Sequence, residues 1–303
     1  MTNTTPEFHS PPPIMASPPP NFQLFTSLRY DPLLAPLSIN TESWDGEEQD
    51  IKFFSPFYMA SFHRDRILQA AEYFGWTVAA DKIRGYNGFS FFLEKLHEAI
   101  DVTSPQPLKV RVLLSHGGGI TVESNPTPKA GEWNLFPHRI PPPKSAEKIK
   151  VSPLTGGALT VGAGDRIHGD PDVSHIWEII PDTVRTTPSP YTTYKTTSRD
   201  MYMTARERVG INDMAEKKEV LIISDKDEET MEGSLTSVYF WREGKWTTPP
   251  IASGGQAGTT RRWALEQRFC VEGVVKVDEL IDGEECWISN GVRGFNLGRV
   301  KLS

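Results

Sequence analysis

Three short stretches of the chain hold side chains whose types and order could do chemistry together. Lys195 lies in Tyr191-Thr-Thr-Tyr-Lys195-Thr-Thr-Ser-Arg199, in an expected extended segment just ahead of an amphipathic helix. Glu232 follows 37 residues later, with small residues, before the apolar strand Leu235–Trp241. Gly254-Gly255-Gln256-Ala257-Gly258-Thr259-Thr260 is then a glycine-rich turn running into a helix. Unpaired amides at a helix start form an anion cradle. An amine able to condense with a carbonyl, a carboxylate able to keep a pyridine nitrogen protonated, and a phosphate cradle make one coherent set. Taken singly, each has a plainer reading: Lys195 as a surface lysine, Glu232 as a turn carboxylate, Thr260 as an N-cap.

The elements that must position these groups are partly legible. Phe62, Ile67, Ala70, Ala71 and Phe74 recur at helical spacing before Gly75, and Phe89, Phe92, Leu93, Leu96 and Ile100 form a second helical stripe. The alternation Val110, Val112, Leu114, then Gly117–Gly119, then Ile120 and Val122 predicts two strands around a tight turn. Further strands are expected at 176–180, 220–224, 235–241 and 285–289, with helices at 197–209 and 260–269. Residues 1–21, with seven prolines in the first twenty, read as a mobile tail, and Glu42, Asp45, Glu47, Glu48 and Asp50 read as an exposed acidic loop. Residues 22–128 are expected to form a small N-terminal α/β domain, 129–170 a linker or insertion, and 171–303 the C-terminal domain.

Composition narrows the classes. A chain of 303 residues with 8 Trp can build one large or two medium cores. Its net charge of −7 gives no cationic surface for a nucleic-acid backbone, so no nucleic-acid partner is expected. Cys270 and Cys286 make no CxxC pair, and no histidine spacing suits zinc, so no metal site is expected. No run approaches the roughly 20 apolar residues of a membrane span, so a soluble, cytoplasmic protein is the expectation.

In the order lysine, glutamate, glycine-rich helix start, the chain resembles the fold-type IV pyridoxal-phosphate enzymes, the class IV aminotransferase family. The resemblance runs from about residue 22 to the end and rests on His63-Arg64-Asp65-Arg66, the Lys195 and Glu232 blocks, and Gly258 through Ser289-Asn290-Gly291-Val292-Arg293-Gly294. It implies a two-domain α/β (α+β) fold, with a small N-terminal domain, a C-terminal pseudo-barrel and the cofactor between them, and a homodimer. It further implies that Lys195 carries pyridoxal 5'-phosphate as a Schiff base and acts as base and acid. Glu232 would pair with the pyridinium nitrogen, and Arg66, Thr259 and Thr260 would hold the phosphate. Ala257 would pack on the ring, and Asn290-Gly291 would complete the phosphate turn.

The run Lys-Thr-Thr-x-Arg-x-x-Tyr, the opening Thr26-Ser27-Leu28-Arg29-Tyr30-Asp31-Pro32 and the ending Trp287–Phe295 look most like fungal 4-amino-4-deoxychorismate lyases. That likeness implies a small amine substrate, elimination of pyruvate to leave 4-aminobenzoate for folate biosynthesis, and Arg29, Tyr30 and Arg293 as candidates for binding substrate carboxylates. The alternative on the same residues is an aminotransferase acting on D-amino acids, branched-chain amino acids or R-amines. The discriminating side chains lie in loops around the substrate.

Overall fold

The computed structural model describes residues 22–44, 51–144, 154 and 168–302. The proline-rich tail, most of the acidic loop and much of the 129–170 insertion lie outside these. Glu42 belongs to a strand, not to a loop.

The first part contributes β1 (Leu24–Tyr30), β2 (Thr41–Trp44), β3 (Ile51–Phe54), α1 (Ala60–Tyr73), α2 (Thr77–Ile83), α3 (Gly85–Ala99), β4 (Leu108–Leu114) and β5 (Ile120–Pro126). The hairpin expected around Gly117–Gly119 is present, closed by Ser115 N–H to Gly119 O, with Gly118 at φ +77° where a side chain is disfavoured. β1 adds to its far edge, giving an antiparallel sheet β1-β4-β5. β2 and β3 form a separate two-stranded pair. α1 ends where Gly75 adopts φ +69°, as a glycine stop should.

Side chains alternate across a strand. On β1 and β4, Leu28, Tyr30, Val110 and Val112 turn into a core with Phe57, Phe89, Phe92 and Leu96, which covers one face of the sheet with α1 and α3. The other face carries Phe25, Ser27 and Arg29 beside Leu113, Arg111 and Lys109, their partners in register.

The rest of the chain supplies α4 (Glu132–Leu135), β6 (Trp177–Pro181), α5 (Pro190–Thr193), α6 (Asp200–Arg208), β7 (Lys218–Ile223), β8 (Thr230–Gly233), β9 (Ser237–Arg242), β10 (Lys245–Thr248), α7 (Thr259–Glu266), β11 (Val271–Glu272), β12 (Glu285–Asn290) and β13 (Gly294–Val300). Their sheet has the order β11-β10-β9-β12-β13-β6-β7-β8. Only Ser234, Leu235 and Thr236 separate β8 from β9, although four strands lie between them in the sheet. So short a link forces the β8 edge back against β9, and the sheet curls into a half-barrel. Ile179, Leu221, Ile223, Val238, Phe240, Cys286, Ile288 and Val300 fill its interior. Burying each such large apolar side chain stabilises the fold by about 1.5–3 kcal/mol. A second cluster joins Tyr239, Trp287 and Phe295 of the barrel strands to Trp263 of α7 and Leu135 of α4. The α/β architecture expected from the resemblance is the one the chain adopts. No helix among the described residues is long and apolar enough to cross a membrane.

Candidate active site

Lys195 sits in the extended link between α5 and α6, as its sequence context suggested. α5 is a single turn fixed by a Ser189–Thr192 capping box and Pro190. Beyond it, the Lys195 carbonyl accepts from Phe25 N–H at 3.0 Å, and Thr197 N–H donates to Gln23 O at 2.9 Å. These bonds attach the lysine backbone to the start of β1. The Lys195 ammonium lies 5.3 Å from the centre of the Phe25 ring, a cation–π distance.

Around this amine stand Arg66 of α1, Arg199 just before α6, and Glu232 of β8. Burial, then Arg66 and Arg199, hold the Lys195 pKa well below the usual lysine value, against the opposing pull of Glu232. Glu232 is 7% exposed, and its Oε1 accepts from the Tyr202 hydroxyl at 2.5 Å. The Gln256 backbone N–H also donates to it. Burial raises the Glu232 carboxyl pKa, while Arg199, Tyr202 and Lys195 restrain the rise. Arg199 lies over the Tyr202 ring, 4.0 Å to the centroid, and donates through Nη2 to Ser234 O. Its Nη1, like Nε of Arg66, is buried with no hydrogen-bond partner. Desolvation holds the Arg66 pKa down to about 10.

Opposite Glu232, the start of α7 is capped by Gly258, which has no side chain to occupy the first helical amides. A Cβ at 258 would fall 2.3 Å from Ser237 Oγ, so the serine hydroxyl would have to turn away to admit one. Thr260 Oγ1 lies 2.8 Å from Ser289 Oγ, which also meets the Tyr239 hydroxyl at 2.8 Å. Thr259 faces His63 of α1, and Arg66 bonds Thr26 of β1. Ala257 lies in the turn between Gln256 and Gly258. The Asn290 side chain accepts from Val292 and Arg293 N–H, bracing its own turn, and Gly291 packs so tightly on His63 that any Cβ would fall 2.5 Å from the ring.

The structure thus brings Lys195, Glu232 and Arg66 within electrostatic reach of one another, ties Arg66 through Thr26 and His63 to Thr259 and Gly291, and sets Thr260 against Ser289, the neighbour of Asn290. Arg29 and Tyr30, expected as substrate-binding candidates, are both buried and hydrogen-bonded within the protein. Arg29 is 1% exposed and spends its N–H groups on Asp31 and on the carbonyls of Pro128 and Val292. Tyr30 points into the helix-covered core and donates to Ser104 O. Arg293 is engaged by Met214 O and the Trp177 ring, yet remains close enough to Lys109 to depress its pKa.

Four residues here were not assigned from sequence. Arg199 and Tyr202 stand in the quoted lysine motif without a role. Lys109 and Arg111 alternate with Val110, Val112 and Leu114 on β4 and were given no role. In the structure Arg111 lies over the same Phe25 ring as Lys195, at 4.6 Å, and Lys109 is close enough to Lys195 to lower its pKa. A signal was available: basic residues alternate on the face of β4 that Phe25 shares.

Comparison with known proteins agrees with this geometry. Residues 54–296 match the family model described as amino-transferase class IV. Aminodeoxychorismate lyase of Saccharomyces cerevisiae is 28% identical over 228 residues, 71% of this chain but 56% of the yeast protein, so the chain spans little more than half that relative's length. The crystal structure of 4-amino-4-deoxychorismate lyase from Pseudomonas aeruginosa superimposes with a TM-score of 0.53 at 14% identity, covering 93% of this chain and 83% of that one. The branched-chain amino acid aminotransferase of Escherichia coli gives 0.52 at 14% identity, covering 92% and 76%. At such identities the two structures share the fold, whereas the family match spans most of the sequence. With lysine, glutamate and helix start gathered in one cleft, the chain belongs to the class IV amino-transferase family of enzymes.

Proposed function

We propose that the chain is a pyridoxal-phosphate-dependent lyase that converts 4-amino-4-deoxychorismate into 4-aminobenzoate and pyruvate. The observation that carries this reading is the Lys195 amine in a cleft with two buried, unpartnered guanidinium nitrogens, Arg66 Nε and Arg199 Nη1. Buried donors of this kind are ligands for an anion. Together with the uncapped start of α7 and the Glu232 carboxylate, they fit pyridoxal phosphate. Lys195 would hold its aldehyde carbon and Glu232 its ring nitrogen. Arg66, Thr259 and Thr260 would hold its phosphate, with Ala257 against the ring and the Asn290-Gly291 turn behind. Once bound, the group supplies an electron sink for the carbon bearing the substrate amine.

The remaining chemistry belongs to side chains. Tyr202 and the Gln256 amide keep Glu232 aimed into the cleft. The lowered Lys195 pKa favours the neutral amine that would take the proton from the amine-bearing ring carbon. The adjacent carbon–oxygen bond breaks, its electron pair leaves with enolpyruvate, and that fragment takes up a proton to become pyruvate while the ring aromatises. Lys109 and Arg111 on the Phe25 face of β4, with Arg293 near Lys109, supply positive charge suited to a substrate carrying two carboxylates. This charge and the yeast relative favour the lyase. An aminotransferase remains the alternative, supported by the fold shared with the Escherichia coli enzyme. We also read residues 22–128 and 171–303 as two domains flanking the cleft, joined through 129–170, and the protein as a cytoplasmic homodimer.

The test is to incubate the purified protein with pyridoxal phosphate and aminodeoxychorismate while following pyruvate and 4-aminobenzoate, beside a panel of amines and keto acids. Amino transfer without pyruvate release refutes the lyase. Borohydride reduction and peptide mapping should tag Lys195; a tag elsewhere, or none, removes the whole reading.

A further inference from the structure

His63 is wholly buried, is titratable, and takes part in no step above. Its Nδ1 lies 2.6 Å from Thr26 Oγ1 and 3.5 Å from Arg66 Nη2, and its Nε2 lies 3.4 Å from Thr259 Oγ1. A guanidinium can only donate. Arg66 therefore donates to Thr26 Oγ1, and its Nη2 beside His63 Nδ1 leaves no place there for a ring hydrogen. Thr26, accepting from Arg66, keeps its own hydroxyl hydrogen for Nδ1. With Nδ1 bare, the neutral ring carries its hydrogen on Nε2, facing Thr259. The Thr259 oxygen then accepts, and its hydrogen is free to be given to something else. Each link in the series Arg66, Thr26, His63, Thr259 has a single direction.

We infer that His63 is a positioning residue that turns the Thr259 hydroxyl into a hydrogen-bond donor for a phosphate ester seated at the start of α7. This rests on the reading of the cleft as a pyridoxal-phosphate site. The Gly291 backbone lies against the Nε2 edge of the ring, leaving no room there for even a methyl group. Gly258 has no side chain with which to cap the helix, so the oriented hydroxyl adds to the free amides and to the Arg66 charge. Burial, then Arg66 and Lys195, push the His63 pKa well below the usual histidine value, so the ring stays neutral and its tautomer persists.

Two measurements test this. Nitrogen-15 NMR of the histidine-labelled apo protein at neutral pH should show His63 protonated at Nε2 only; the opposite tautomer or an imidazolium overturns the inference. Binding of pyridoxal phosphate and of pyridoxal, which lacks the phosphate, is then titrated into wild type, His63→Ala, His63→Gln, Thr259→Val and the His63→Ala/Thr259→Val double variant. His63→Ala and Thr259→Val should each weaken pyridoxal phosphate binding roughly tenfold, the scale of one charge-assisted hydrogen bond, and leave pyridoxal unaffected. The double variant should be no weaker than either single one, and His63→Gln, which can still present an N–H, should recover part of the loss. Additive losses, or equal losses for pyridoxal, overturn the relay. If His63→Ala fails to fold, the same cycle is run with His63→Gln, where a coupled, phosphate-specific loss supports the relay and an additive one refutes it. A wild type that binds neither aldehyde refutes the cofactor reading instead, while the tautomer result judges the relay separately.

Discussion

Arg111 offers a sharp probe of how the cleft chooses its substrate, because it already has a competitor on its own sheet. Its guanidinium lies 3.3 Å from Glu123, with the two side chains 35% and 49% exposed. A pair that open to water is worth about 0.2–1 kcal/mol. A substrate carboxylate arriving in the cleft would gain more, because the Phe25 ring covers one side of the guanidinium; about 1–2 kcal/mol is a fair scale for a charged hydrogen bond there. Arg111→Gln should therefore raise KM for aminodeoxychorismate about 5–30-fold, with kcat changed far less. Glu123→Gln removes the competitor, so KM should fall, by at most about fivefold. Steady-state assays of pyruvate release would read both, and KM of the wild type should climb with ionic strength as the charges are screened. Neither change touches the Arg66 end of the cleft, so both variants should retain cofactor. If Glu123→Gln raised KM, or Arg111→Gln left it unchanged, the basic sheet face would not be the carboxylate site.

Three other outcomes follow from the same geometry. Glu232→Gln should bind cofactor, judged by its visible absorption, yet turn over at least about a hundredfold more slowly, since an amide cannot hold the ring nitrogen protonated; an unchanged rate would exclude its assigned role. Gly291→Ala should lose stability and cofactor affinity together in thermal melts with and without pyridoxal phosphate, because the added methyl enters the His63 ring; a neutral variant would mean the turn can relax. The depressed Lys195 pKa makes the folded apo protein bind fewer protons at this site than the unfolded chain does. Apo stability should thus rise with pH from the depressed value to the ordinary lysine value near about 10.4, and fall as pH is lowered through that window. Urea unfolding at a series of pH values should give a flatter profile for Lys195→Met, with Arg66 adding a same-sign slope only above its own value of about 10; identical slopes would contradict the depressed pKa.

The strong periodicities were legible in the sequence: α1, α3, α6, α7, the β4–β5 hairpin and the strands at β6, β7, β9 and β12. Two of the elements that escaped, and that hold the site, are buried on both faces. β1 has Phe25 and Arg29 enclosed on one side and Leu24, Leu28 and Tyr30 on the other, so it shows no alternation, although it anchors Lys195. β8 is four residues long and buried throughout, and its Glu232 reads in isolation as a turn carboxylate. The lysine, the glutamate and the glycine-rich helix start could be ordered along the chain because each keeps a local signature. The surroundings of Arg29 were not legible, because its bonds to Pro128 and Val292 reach segments about a hundred and more than two hundred and sixty residues away. The same blindness hid Lys109 and Arg111, whose outward-looking face meets Phe25 and the lysine only when the half-barrel stands opposite.

The main-chain bond from Phe25 to Lys195 has a mechanical consequence. It ties the Lys195 backbone to the strand that pairs with β4, so Lys195, Arg111 and Lys109 share one mechanical unit. Loosening that tie would leave every reacting group present while spoiling their common alignment.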